Sequence, residues 1–143
     1  MGVWLYAIFF VIIVINGHYD RRNNFTQNII SQKNTSNEKA MRVVIYMDGI
    51  NDHLYNHPRQ SGVLTEFEIG VKVEPDIRHI IQDGRAFVYF PSQPGLMAAL
   101  KRQTVNSALL GTVENRLLID NKDVNMLISV PGIIPNGYIV YLN

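Results

Sequence analysis

The chain has 143 residues, enough for one domain of ordinary size and too few for two well-packed ones. Its formal charge is +1, from 13 Lys and Arg against 12 Asp and Glu, so it lacks the basic excess of a protein that binds nucleic acid through bulk charge. It contains no cysteine, which excludes disulfide scaffolds, cysteine-ligated zinc, iron–sulfur centres and thiol nucleophiles.

The N-terminal segment is apolar and uncharged. Val3–Ile15 holds 13 consecutive apolar residues, and every charged residue of the chain follows Tyr19. As a helix, Met1–Gly17 would be roughly 25 Å long, slightly short of the ~30 Å hydrocarbon core of a bilayer. Aromatic residues near both of its ends match the interfacial belts of membrane helices. We therefore expect Met1–Gly17 to direct the chain to the membrane.

This segment is either a cleavable signal peptide or an uncleaved anchor. No Lys or Arg precedes the apolar run, and Ile15 suits a cleavage site poorly, which argues against a signal peptide. Arg21 and Arg22 follow the run, where positive charge favours the cytoplasm. Because short anchors with tiny N-terminal tails still translocate the following domain, we expect a bacterial inner-membrane anchor with the C-terminal domain in the periplasm. A type IV prepilin is a third alternative, but its basic leader and early Glu are missing.

Residues 18–36 are polar and rich in Asn, and we expect them to form a tether to an α+β domain over residues 37–143. The main helix of that domain is predicted to begin near Asn37 or Glu38 and to end before Pro58. Its buried stripe is predicted from apolar residues at spacings of 4, 3 and 4: Val43, Met47, Ile50 and Leu54.

The opposite face of this helix carries a second apolar group, formed by Met41, Val44, Ile45 and Tyr55. Such a group is either additional core or a surface that contacts a partner protein. Both interpretations stay open at the level of the sequence, and this face is the first candidate for a partner contact.

After Gly62 the apolar pattern changes to alternation. Thr65–Val73 is predicted to be a strand with Glu66 and Glu68 on its solvated side. Asp83-Gly84 is predicted to join Ile77–Ile81 and Arg85–Phe90 in a hairpin. Phe87 and Tyr89 on the second of these strands are candidate partner contacts if that strand lies at a sheet edge, where strand addition takes place.

The remaining residues predict a short helix over Leu96–Thr104 and a β-rich final third. Its strands are predicted at Ser107–Val113, Arg116–Asp120, Met126–Val130 and Tyr138–Leu142. The predicted fold class is therefore α+β, with an N-terminal transmembrane helix followed by one main helix packed on a small antiparallel sheet.

No group of residues in the sequence indicates catalysis, a cofactor or a metal. His53 and His57 have the i, i+4 spacing of zinc ligands, but the Glu that metallohydrolases place between them is absent. Arg78-His79 and Arg85, expected to face each other across the hairpin, are better explained as an exposed basic hairpin than as an anion site. Glu66 and Glu68 are better explained as a solvated sheet face than as an acid–base pair. We expect no enzymatic activity, no cofactor and no bound metal.

The order of these features resembles the PilM family. An apolar anchor and a polar spacer precede a helix ending in Asn-His-Pro, and Asp-Gly-Arg-Ala-Phe-Val-Tyr, Pro-Gly-Leu and Ser107…Gly111 follow. The C-terminal run is Pro-Gly-Ile-Ile-Pro-Asn-Gly-Tyr-Ile-Val. This pattern resembles the small PilM proteins of conjugative-plasmid thin pili, the type IVb systems. The resemblance brings no catalytic or ligand residues with it.

The resemblance implies an inner-membrane protein with a periplasmic domain that serves the pilus basal body or pilin transport. Its expected partners are other pilus-assembly proteins, with no nucleic acid among them, and a homo-oligomer is left open. Two alternatives remain. One is an exported periplasmic or extracellular protein that binds a small molecule or carbohydrate through an aromatic patch, and the other is a minor pilin-like structural subunit.

Overall fold

The computed structural model describes residues 3–72, 74–107, 109–120 and 122–143, with side chains from residue 28 onward. The chain divides into two compact units, one that ends at Thr35 and one that spans Ser36–Asn143. Helix α1, Val3–Asn56, contributes to both units. The predicted anchor Met1–Gly17 lies outside the residues whose side chains are described. Within the part of the chain that the structure describes, no helix is long and apolar enough to cross a membrane.

Helix α1 begins well before the predicted start at Asn37, so residues 18–36 are helical instead of an irregular tether. The reason is that Asn, Ser and Thr lower helix propensity only modestly, whereas proline disrupts a helix, and the first proline of the chain is Pro58. The predicted end of the helix before Pro58 is confirmed.

The second unit contains a six-stranded antiparallel sheet in the order β1-β2-β6-β3-β4-β5. The strands are β1 Arg78–Gln82, β2 Arg85–Pro91, β3 Leu110–Glu114, β4 Leu117–Ile119, β5 Asn125–Ser129 and β6 Tyr138–Leu142. Two short helices, α2 Glu66–Ile69 and α3 Leu96–Gln103, accompany α1. The α+β prediction is confirmed in this unit. The C-terminal strand β6 lies in the middle of the sheet, between β2 and β3.

The sheet has a core on each of its faces. The helix-side core brings the predicted stripe of α1 together with α3 and one face of the sheet, and all four predicted stripe residues are buried. The opposite core lies on the other face and is formed by Phe87, Tyr89, Val113, Leu118, Val130, Ile134, Val140 and Leu142. Successive side chains of a strand point to opposite faces, so β2 places Val88 and Phe90 in the first core and Phe87 and Tyr89 in the second.

The strand predicted at Thr65–Val73 is wrong, because Glu66–Ile69 forms the short helix α2. Thr65 and Glu68 make a capping box: the Glu68 N–H donates to Thr65 Oγ1 (3.4 Å), and the Thr65 N–H donates to Glu68 Oε2 (2.7 Å). Gly70 ends the helix in the left-handed conformation with φ 71°. Glu66 and Glu68 therefore do not share a sheet face.

Candidate functional site

The two histidines at zinc-ligand spacing do not converge on a metal position. The rings of His53 and His57 stack with their centroids 4.4 Å apart and their planes 16° apart. Ring lone pairs lie in the ring planes, so nearly parallel stacked rings direct them along similar lines and not toward one point. Within the described part of the chain, no group of three or more His, Asp or Glu residues could hold a metal ion.

The predicted basic hairpin does not assemble as an anion site. In the hairpin register Arg78 pairs with Tyr89, and Arg85 pairs with Gln82, so the two arginines are not opposite each other. His79 is buried at 4% exposure, because Ile77, His79 and Ile81 alternate along the strand and all face the interior. The expectation that these three residues face each other at the surface is wrong.

His79 instead links two elements inside the protein. The Leu64 N–H donates to His79 Nε2 over 2.7 Å, so Nε2 is unprotonated and Nδ1 carries the proton, which it donates to Tyr46 Oη over 2.7 Å. Burial lowers the pKa of His79, an effect partly opposed by Glu68. Burial, with smaller contributions from Glu66 and Tyr89, raises the pKa of Tyr46 to about 12. At neutral pH both groups are uncharged, and their contact joins α1 to β1.

Glu68 also has a structural role, because its carboxylate caps helix α2. Its pKa is lowered, first by the hydrogen bond from the Thr65 backbone and then by the Thr65 side chain. The carboxylate is held by the cap of α2 and is not paired with Glu66 for acid–base chemistry. The capping sequence Thr-x-x-Glu indicates the start of this helix, but the alternation of polar and apolar residues favours a strand at the same positions.

Phe87 and Tyr89 do not form an exposed contact surface. Strand β2 lies between β1 and β6, so it is not an edge strand and cannot add a partner strand. Both side chains are buried in the opposite core, at 5% and 6% exposure. Phe87 and Tyr89 were candidate contacts only if their strand lay at a sheet edge, and it does not. Because both rings are buried, β2 also offers no aromatic patch for a carbohydrate.

The second apolar face of α1, in contrast, is largely exposed. Met41 is 53% exposed, Ile45 is 46% exposed and Tyr55 is 88% exposed, while Val44 is half-buried. Exposure of this extent does not fit additional core for Met41, Ile45 and Tyr55. Met41 and Ile45 are one helical turn apart and therefore lie on the same side of α1.

Ile45 borders a cavity of about 500 Å³ between α1 and residues 71–72 and 74–77, which we call the helix groove. Val71, Pro75 and Ile77 supply apolar walls, and the charged residues at the groove are Arg42, Lys72 and Glu74. Two ion pairs hold this segment to α1: Lys39 with Asp76, and Arg42 with Glu74. The hydrogen bond and charge of Glu74 raise the pKa of Arg42. The site therefore combines an exposed apolar helix face with a groove fixed at its rim.

Comparisons with known proteins converge on one family. A family model described as PilM matches residues 10–142. The crystal structure of a PilM protein from Escherichia coli B7A is 36% identical in sequence with a TM-score of 0.69, over 78% of this chain and 94% of that one. A second crystal structure, of a PilM protein from Pseudomonas aeruginosa 2192, is 21% identical with a TM-score of 0.45, over 75% of this chain and 92% of that one. No curated protein matched the chain.

Proposed function

Because the chain belongs to the PilM family, we propose that it is a non-enzymatic component of pilus assembly that acts through protein–protein contacts. The family match over residues 10–142 is the observation that carries this proposal, since it includes almost the whole chain. We further propose a type IVb conjugative pilus system, in which Met1–Gly17 anchors the protein in the inner membrane and residues 37–143 work in the periplasm. The uninterrupted apolar run Val3–Ile15 supports the anchor.

The proposed contact surface is the helix groove together with Met41 and Ile45. Single exposed apolar residues are ordinary on protein surfaces, so their exposure alone carries little weight. Here, however, the exposed side of Ile45 adjoins a groove with apolar walls, and a partner's apolar side chain entering it would bury surface on both molecules. Arg42 and Lys72 at the groove would favour acidic residues beside that apolar side chain.

The non-enzymatic part of the proposal is supported by the local use of the ionisable groups. Glu68 caps α2 and His79 joins α1 to β1, so both of these groups with perturbed pKa values have structural partners. Perturbed pKa values accompany both active sites and structural networks, and the partners of these residues favour the second explanation.

Substitution of Ile45 by Asp tests the contact surface. In cells that lack the native gene, we expect the Ile45→Asp protein to lower pilus-dependent DNA transfer at least tenfold, because a carboxylate at the groove opposes insertion of an apolar side chain. The protein level and melting temperature should stay close to those of the wild type, since Ile45 is 46% exposed. Val63→Asp is the matched control, because Val63 is 65% exposed and does not line the groove.

Equal transfer by the two variants would place the contact surface elsewhere, and loss of folding by Ile45→Asp would make this face part of the core. The same cells test the anchor by fractionation and intact mass. Uncleaved protein in the inner membrane is the expected result. Soluble protein beginning near His18 would indicate an exported binding protein, and recovery in sheared fibres would indicate a minor pilin.

A further inference from the structure

A second groove lies between residues from the two ends of the sheet order, the β1–β2 hairpin and β5. Its cavity of about 610 Å³ is lined on one side by the β1–β2 turn region, including Asp83, Arg85 and Phe87. The other side is residues 127–132, which comprise the end of β5 and the segment that follows it. We call it the sheet-end groove. It shares no lining residue with the helix groove.

The β5 side of this groove presents unused backbone groups. The Val130 N–H donates to Arg116 O over 2.9 Å, and the Asp120 N–H donates to Val124 O over 2.9 Å. In an antiparallel pair of strands, the backbone N–H and C=O groups of one residue bond the facing strand, and those of the next residue point away from it. Asn125 and Ser129 face Ile119 and Leu117 without bonding them, so their N–H and C=O groups point away from β4. Strand β5 is the last strand in the sheet order, and no described strand pairs with this edge.

The edge is irregular in a way that exposes an apolar side chain. Between Leu117 and Ile119 the register shifts by two residues, so that Met126–Ile128 lie opposite Leu118 alone, and the middle residue, Leu127, has φ 57°. The Leu127 N–H donates to Asn125 Oδ1 over 2.8 Å, which fixes the bulge. Leu127 is 86% exposed and lines the groove, so the bulge presents an apolar side chain to an incoming chain.

The groove also carries positive charge. Arg85 is exposed and lines it, and the guanidinium of Arg116 lies over Gly132, where an added Cβ would be 3.5 Å from Arg116 Nη2. Neither arginine forms an ion pair within the described residues. Asp83 is the one carboxylate among the lining residues. Arg85 balances Asp83 among the lining residues, and the guanidinium of Arg116 beside Gly132 adds a further positive charge next to the groove, which favours an anionic ligand.

We propose that the sheet-end groove binds an extended acidic peptide segment of a partner protein, which adds to the free edge of β5. Backbone groups of Ser129 pair with the peptide, Leu127 contacts its apolar side chains, and Arg85 with Arg116 binds its carboxylates. Strand addition supplies affinity through main-chain hydrogen bonds, and the side chains supply specificity. The site goes beyond the contact surface on α1, because it uses other residues and does not require the helix groove.

Fluorescence anisotropy with labelled peptides tests this on the full chain in detergent. The probe is a capped ten-residue peptide of alternating Thr and Val with Glu at two central Thr positions. One matched peptide has Lys in place of Glu, and another has N-methyl groups on alternate amides. We expect the Glu peptide to bind at least tenfold more tightly than either, because the first change opposes the arginines and the second removes backbone pairing.

Arg85→Glu then reverses the charge at an exposed position of the groove. We expect this variant to prefer the Lys peptide over the Glu peptide, with an unchanged melting temperature. Lys33→Glu is the matched control, since Lys33 is exposed on α1 and the net charge changes equally. Equal binding of the Glu and Lys peptides, equal binding of the N-methylated peptide, or no binding at all would overturn the proposal. Ile45→Asp leaves the sheet-end groove intact, so normal peptide binding by that variant separates this proposal from the one on α1.

Discussion

The two faces of the sheet are closed in different ways. The helix-side core lies under α1 and α3, and its members include Val43, Ile50 and Phe90, all with 0% exposure. The opposite core is covered by the segment after β5, which supplies Val130 and Ile134, and Met126 and Ile128 of β5 pack against it. At Phe87 this second core opens into the sheet-end groove. The face covered by helices therefore buries Phe90 completely, whereas the face without helices opens into a groove at Phe87.

Strand β2 allows the largest test of this comparison, because it carries one phenylalanine on each face. We expect Phe90→Ala to lower the free energy of unfolding by about 3–5 kcal/mol, the usual range for a buried phenylalanine whose cavity cannot collapse. Phe87→Ala should cost clearly less, because Phe87 borders a groove that already admits solvent. Urea unfolding of the two variants measures the difference.

Phe67→Ala provides the control for this pair. Phe67 is 94% exposed on α2, so its truncation should change the free energy of unfolding by about 0.5 kcal/mol or less. Equal losses for Phe90→Ala and Phe87→Ala would show that the two faces are packed equally tightly. The contrast between them would then not hold.

The contact of His79 with Tyr46 and Leu64 gives the second test, on the helix side. His79→Leu should destabilise the protein by about 1–3 kcal/mol at pH 8, because the buried Leu64 N–H loses its acceptor. Burial holds the pKa of His79 below its usual value of about 6.5, so the unfolded chain takes up this proton more readily than the folded one. The stability from this group is complete above the unfolded-state pKa and is lost as pH falls toward the folded-state pKa.

Unfolding free energies at pH 8, 6.5 and 5 measure this loss. The wild type should lose more stability between pH 8 and pH 5 than His79→Leu does, with Glu68 and Tyr46 as the other ionisable groups at this site. His57→Gln is the control, since His57 is exposed and its removal should leave the acid-induced loss in place. An undiminished loss in His79→Leu would mean that another group causes it.

Local signals predicted much of this fold. The stripe of α1 follows from apolar spacing alone, and Asp83-Gly84 specifies a tight hairpin because both residues have positive φ, 53° and 75°. Helix α2 was missed because four residues are too few to show a helical period, and their alternation suits a strand equally well. Nothing local in Tyr138–Leu142 specifies that it pairs between β2 and β3, and this non-local pairing removes β2 from the sheet edge.

The candidate contact sites likewise combine features that local sequence predicts with features that depend on non-local contacts. That Met41 and Ile45 lie on a second face of α1 follows from helical periodicity. The groove beside Ile45 is bordered by ion pairs between residues more than 30 positions apart, and periodicity cannot predict these contacts. The sheet-end groove was missed for a similar reason, since Arg85 and Leu127 approach it from opposite ends of the sheet order.

Leu127 gives the smallest effect and the sharpest test of the face without helices. A left-handed conformation costs a residue with a Cβ about 1–2 kcal/mol, and glycine costs about 0.5–1 kcal/mol in chain entropy, so Leu127→Gly should stabilise the protein by about 0.5–1 kcal/mol. Little burial is lost, because the side chain is 86% exposed. Binding of the Glu peptide should weaken in the same variant, since an apolar wall of the groove is removed.

Leu109→Gly is the matched control, because Leu109 is 38% exposed and does not have positive φ, so the same substitution there should destabilise the protein. A gain in stability with a loss of binding at Leu127 would mean that the strained leucine is kept for the contact it makes, as strained residues at functional sites often are. If Leu127→Gly instead lowers stability as Leu109→Gly does, Leu127 contributes to packing. The opposite face would then be closed by the same means as the helix side.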